Sequence, residues 1–187
     1  SDAAAALLGL NQLFAAELSR AALHSLALSL GADVPFFVAD CAAAWATGIG
    51  DRLRRAKPLR PCWILLVNPG FPVSTKWVYD NLALTTQGNP YMVGREQIHE
   101  KYSDLLASHE SVAICNDLES ITAGRFPEIG EIKAGLLAAG ASAALMSGSG
   151  PTVFGLFREE ALAVACFGRF EQQYGKNVFL TRPRHMV

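Results

Sequence analysis

Two short apolar runs, residues 141–146 and 152–157, stand either side of Ser147-Gly148-Ser149-Gly150-Pro151. Glycine supplies the backbone angles of a tight reversal and proline cannot continue a ladder, so the arrangement predicts two antiparallel strands joined at a turn. Such a pair needs a sheet to belong to and a layer to cover it. Residues 62–68 form a continuous apolar run ended by Pro69-Gly70, which predicts a buried strand. Ile129, Ile132, Leu136 and Leu137 recur at helical spacing within residues 127–139, before Gly140. Residues 159–174 read as a last helix and 177–181 as a last strand. Between the first strand and these elements, Ser74 or Thr75 opens a helix running to about Leu82, and a loop over 85–94 leads to a helix over 95–108. Asn116 or Asp117 opens another. Strand, several helices, strand, strand, helix, strand is the order of a ferredoxin-like α+β sandwich with helices on one face.

The first sixty residues have a different character. Ser1 or Asp2 can cap a helix that places Leu7, Leu10, Phe14 and Leu18 on one side, and a second helix over 20–30 carries Leu23, Leu26 and Leu30 before stopping at Gly31. Both have apolar faces without a sheet of their own to cover. Residues 41–47 and 52–56 flank Thr47-Gly48-Ile49-Gly50-Asp51 as a hairpin, and Lys57-Pro58-Leu59-Arg60-Pro61 reads as a linker. The expected division is 1–60 and 61–187.

Charge and composition exclude several classes. With 187 residues, half of them apolar, and a net charge of −1, the chain can bury a core but has no overall positive field for nucleic acid or an anionic membrane. The basic cluster Arg52, Arg54, Arg55, Lys57 and Arg60 reads as a solvated face. Cys41, Cys62, Cys115 and Cys166 form no Cys-x-x-Cys pair, which predicts reduced thiols in a cytoplasm. His24, His99, His109 and His185 are equally scattered, so no protein-caged metal is expected. No apolar stretch approaches the roughly 18–20 residues that cross a bilayer, and the short run after Ser1 lacks the basic flank of a signal peptide.

Three places could carry chemistry, and each has a plain structural alternative. The helix start at Ser1 and Asp2 exposes free amides and a positive dipole end suited to a phosphate, or is an ordinary cap. Asp33, between a helix stop and Pro35, can cap the next short turn or accept a hydroxyl proton beside an apolar Val-Pro-Phe-Phe wall. Ser147-Gly148-Ser149-Gly150 lets backbone approach a ligand closely or simply turns the chain. It is not a Walker A loop, because no Gly-Lys-Ser/Thr follows.

In their order and separations, Ser1-Asp2-Ala3-Ala4, Gly31-Ala32-Asp33-Val34-Pro35-Phe36-Phe37 and the run from Ser147 to Gly155 resemble the three motifs of the GHMP kinases. The resemblance implies a GHMP kinase fold, represented by the C-terminal part of its first domain and a ferredoxin-like second domain. It implies ATP as cofactor, with Mg²⁺ carried on the ATP phosphates, Ser1 and Asp2 at the end of the phosphate loop, and Asp33 as general base. Ser147, Gly148, Ser149 and Gly150 would bind substrate. Within the family, Gly31 to Phe37 and Asn116-Asp117-Leu118-Glu119 are similar to members that phosphorylate the 2-hydroxyl of a cytidyl diphosphate methylerythritol, in the non-mevalonate route to isoprenoids. The stretch Pro69 to Tyr79 resembles their cytidine-contacting segment, which implies substrate-binding roles for Thr75 and for Tyr79, an aromatic on the cytosine ring.

In the family pattern, the first strands, a lysine that works with the aspartate and most of the glycine loop precede the position of Ser1. The chain therefore reads as N-terminally truncated, with an expected lack of kinase activity on its own and an exposed apolar face on its first helices. Two other readings stay open. One is a GHMP kinase for homoserine, a mevalonate derivative or a sugar; the other is a non-catalytic ferredoxin-like interaction domain.

Overall fold

The computed structural model describes residues 1–39, 41–56, 58–82 and 115–183. The expected loop over 85–94 and helix over 95–108 lie outside the described residues. The chain divides into two compact units between Pro58 and Leu59, whereas composition placed the boundary after Arg60.

The first unit contains α1 (Asp2–Leu13), α2 (Arg20–Leu30), α3 (Val34–Val38) and a hairpin of β1 (Ala44–Thr47) and β2 (Arg52–Arg55). Ser1 occupies the cap position of α1 but caps nothing; its Oγ donates to the Asp2 carboxylate instead, at 3.3 Å. Ser19 does cap α2, accepting from Ala22 N at 3.2 Å. Between them, Ala15 and Glu17 take left-handed angles, and Asn11 Oδ1 accepts from Leu18 N at 3.0 Å to hold the turn. Both helices pack on α3 through small or inward positions, with Ala4, Leu23, Ala27 and Pro35 buried. Helical spacing located the helices correctly, but burial fell on Ala4, Leu23 and Ala27 rather than on the whole expected apolar face. Leu10, Phe14, Leu26 and Leu30 are all exposed. In the hairpin, Ala44 pairs with Arg55 and Thr47 with Arg52; Arg52 and Arg54 share one side of β2 and Arg55 points to the other, and all three are exposed.

The second unit begins with β3 (Trp63–Val67) and α4 (Thr75–Asp80). After the residues outside the description come α5 (Asp117–Arg125), α6 (Glu128–Ala138), β4 (Ala143–Met146), β5 (Val153–Phe157) and α7 (Glu160–Tyr174). A single 3₁₀ turn (Gly175–Asn177) then leads into β6 (Val178–Thr181). The sheet order is β4-β5-β3-β6 with every pairing antiparallel, so the first strand of the unit lies between the third and the last. That is the ferredoxin-like order.

Helix α6 covers β4 and β5, α7 covers β3 and β6, and the core forms between. Leu65, Val67, Ile129, Ile132, Leu136, Val153 and Phe157 are its centre. Among the described residues, only one sheet face is covered by helices in this way. The expectation of a buried strand at 62–68 holds most fully for one face: Leu65 and Val67 are buried while Ile64 and Leu66, on the opposite face, are half-buried. A smaller cluster of Cys62, Ala143 and Leu156, with Ile64 and Phe154, occupies that other face.

Candidate functional site

The loop between β4 and β5 is a closed turn with open backbone. Ser147 N donates to Thr152 O at 2.8 Å and Gly150 N to Ser147 O at 2.9 Å, while Gly148 and Gly150 take φ of 55° and 87°. Among the described residues the amides of Gly148 and Ser149 have no protein acceptor, and Ser147 and Gly148 are exposed. Space beside Gly148 is free, with nothing within 4 Å of where a Cβ would stand. Successive free N–H groups at a turn containing a left-handed residue make a concavity that suits an anion. The residues present therefore fit phosphate oxygens.

Helix α5 grips this loop with one face. Asn116, Glu119 and Thr122 are three residues apart, so they stack along one side of the helix start. Asn116 Oδ1 caps the helix by accepting from Leu118 N at 3.1 Å, and its Nδ2 donates to Met146 O at 2.9 Å and Gly148 O at 2.7 Å. Glu119 Oε2 accepts from Met146 N at 2.8 Å, and Oε1 pairs with Lys133 of α6. Thr122, fully buried, places its Oγ1 3.1 Å from Ser149 O and 3.2 Å from Leu118 O. Asn68, just after β3, donates to Thr152 Oγ1 at 2.9 Å on the other side of the turn. The Asn116 to Glu119 run was visible in the sequence, but the partners that give it a role lie some 30 positions away, and no local signal pointed to Thr122 or Lys133.

Helix α4 brings Thr75 and Tyr79 to the same place and the same face. Ser74 caps it, accepting from Trp77 N at 3.2 Å, and Thr75 Oγ1 lies 2.9 Å from Ser149 Oγ. Tyr79, one turn on, is 59% exposed, so its ring is available to a ligand. Trp77 is instead half-buried under the Arg125 guanidinium, 4.6 Å from its ring centre. Thr75, Tyr79 and loop 147–150 are thus gathered in one unit.

Ser1, Asp2 and Asp33 lie in the other unit. Ser1 and Asp2 are exposed at the start of the twelve-residue α1. Asp33 precedes α3 with a helical backbone, φ −86° and ψ −15°, and its side chain makes no cap, which corrects the capping alternative. Its exposed carboxylate sits against the hairpin turn, where a Cβ on Gly50 would come 3.4 Å from Oδ1. A cleft of about 290 Å³ in this unit is lined by Arg20, His24, Val38, Cys41 and Leu53 among others, and by none of the site residues read from the sequence. Among the described residues no group of three or more His, Cys, Asp or Glu gathers to hold a metal. All four cysteines are free thiols, and burial pushes those of Cys62 and Cys166 up.

Residues 96–176 match the family model described as "GHMP kinases C terminal". With the ferredoxin-like unit and the Ser-Gly-Ser-Gly loop, this makes that stretch similar to the C-terminal part of the GHMP kinases. It is 47% identical over 175 residues to the 4-diphosphocytidyl-2-C-methyl-D-erythritol kinase of Geobacter sp. (strain M21), covering 94% of this chain and 60% of that protein. The crystal structure of a 4-(cytidine 5'-diphospho)-2C-methyl-D-erythritol kinase superposes with a TM-score of 0.79 at 34% identity, over 97% of this chain and 63% of that one. A homoserine kinase from Cytophaga hutchinsonii shares the fold, with a TM-score of 0.60 at 18% identity over 94% of this chain and 61% of that one. The chain thus spans about three fifths of the length of the proteins it matches.

Proposed function

We propose that the protein transfers the γ-phosphoryl group of ATP to the 2-hydroxyl of 4-diphosphocytidyl-2-C-methyl-D-erythritol, a cytoplasmic step of isoprenoid precursor synthesis. The observation that carries this reading is the 47% identity to a kinase of that name, sustained over 94% of the chain. The geometry supports it: an exposed tyrosine, a hydroxyl pair and a free-amide loop lie together, in keeping with a ligand that carries both a base and a diphosphate.

In this reading Tyr79 packs on the cytosine ring, an interaction worth about 1–3 kcal/mol. Thr75, Ser147 and Ser149 offer hydroxyls, and Gly148 and Ser149 offer amides, to phosphate oxygens. Gly150 keeps the turn closed beneath them. Asp33 takes the proton of the 2-hydroxyl as its oxygen bonds to the γ-phosphorus; the bond from that phosphorus to the β–γ bridging oxygen breaks, and ADP leaves with the electron pair. Ser1 and Asp2 stand where the ATP phosphates meet the start of α1. Mg²⁺, carried on those phosphates, supplies neutralisation of the developing charge.

Asp33→Asn in the full-length protein tests the base. Turnover should fall by about 10²–10⁴ with the unfolding transition unchanged. Near-normal rates would remove Asp33 from that role.

A further inference from the structure

Met146 closes β4, an edge strand of the sheet, and loop 147–150 springs from it. Ser147 N bonds inward to Thr152 O, so the alternation of an antiparallel ladder turns the N–H and C=O of Met146 outward. Outward groups on an edge are ordinarily left to water or to another strand. Here α5 supplies both partners from side chains: Asn116 Nδ2 reaches Met146 O and Glu119 Oε2 receives Met146 N. Two residues three apart on a helix replace a neighbouring strand at the one position that launches the loop.

Glu119 is the demanding member of the pair. Its side chain is only 16% exposed, and its two oxygens are committed in different directions, one to Lys133 and one to the Met146 amide. A carboxylate is acceptor-only on both oxygens and can satisfy both donors. We propose that Glu119, oriented by Lys133, is a positioning residue that fixes the loop in its ligand-binding shape. The kinase reading names the ligand; the clamp itself rests on the hydrogen bonds.

Glutamine at 119 has one acceptor and one donor. It must either release the Met146 amide or aim its NH₂ at the Lys133 ammonium. Removing that ammonium as well lets the glutamine oxygen serve Met146 unopposed. In the full-length protein, Glu119→Gln should raise KM for the cytidyl diphosphate substrate about tenfold or more while changing kcat much less, since misplaced binding groups cost affinity in this way. Hydrogen exchange at the Met146 amide should quicken in the same variant. Glu119→Gln/Lys133→Met should recover both.

An unchanged KM with a lowered unfolding temperature would show a structural residue only and overturn the proposal, as would a double variant no better than the single. Should the wild-type protein not turn over the cytidyl substrate, the kinase reading fails on its own. The clamp is then decided by exchange at Met146 and by the amide shifts of Gly148 and Ser149. Disturbance in Glu119→Gln with recovery in the double variant supports it; equal behaviour in all three proteins overturns it.

Discussion

At Gly150 two independent requirements meet: its φ is 87°, and a Cβ there would come 2.6 Å from Met146 Sδ, itself buried. Gly148 has only the first requirement, since its Cβ direction is empty. Gly148→Ala should therefore cost about 1–2 kcal/mol of stability for the left-handed angle alone. Gly150→Ala should cost about 2–5 kcal/mol, because displacing a packed methionine adds to it. Urea unfolding of the two variants checks the difference; equal losses would mean that Met146 yields freely. The sequence showed both glycines and could not rank them, because the sulfur that separates them is placed by the fold. Asp33 is a similar case. Its neighbours allowed a cap or a base, and only the helical backbone at that residue, with no side-chain cap bond, removes the cap.

At the scale of elements, what is local was readable and what is paired across the fold was not. Helix starts at Ser74 and Asn116 carry their side-chain caps as the residue types suggested, and strands 143–146 and 153–157 sit where a glycine-rich turn separates them. The tie between α6 and α7 was invisible. Tyr174, in the last turn of α7, donates to Glu128 Oε1 at the start of α6 at 2.9 Å. Burial first, then this hydrogen bond and the charges of Glu128 and Glu131, push the Tyr174 hydroxyl up to about 12. A tyrosine in the unfolded chain loses its proton near pH 10. Below that pH both states hold the proton and the tie is intact. As pH rises from about 10 to 12 the unfolded state releases a proton that the folded state retains, so folding stability declines across that window. Tyr174→Phe should be less stable at pH 8 but lose less between pH 9 and 12, as read from unfolding temperatures of the two proteins measured side by side. Parallel pH curves would contradict the raised hydroxyl.

Over the whole molecule, the order of elements was enough to anticipate the ferredoxin-like sheet, because two adjacent strands and two long amphipathic helices leave few ways to cover one face. The same composition left Leu10, Phe14, Leu26 and Leu30 outside any core of their own unit. Among the described residues no helix is long and apolar enough to cross a membrane. The central claim is chemical, and substrate choice tests it most directly. ³¹P NMR of the full-length protein with ATP, offered the cytidyl diphosphate substrate in one sample and homoserine in another, should show ADP and a new phosphomonoester only with the first. A phosphomonoester formed only from homoserine, or from neither in a folded sample, would contradict the account.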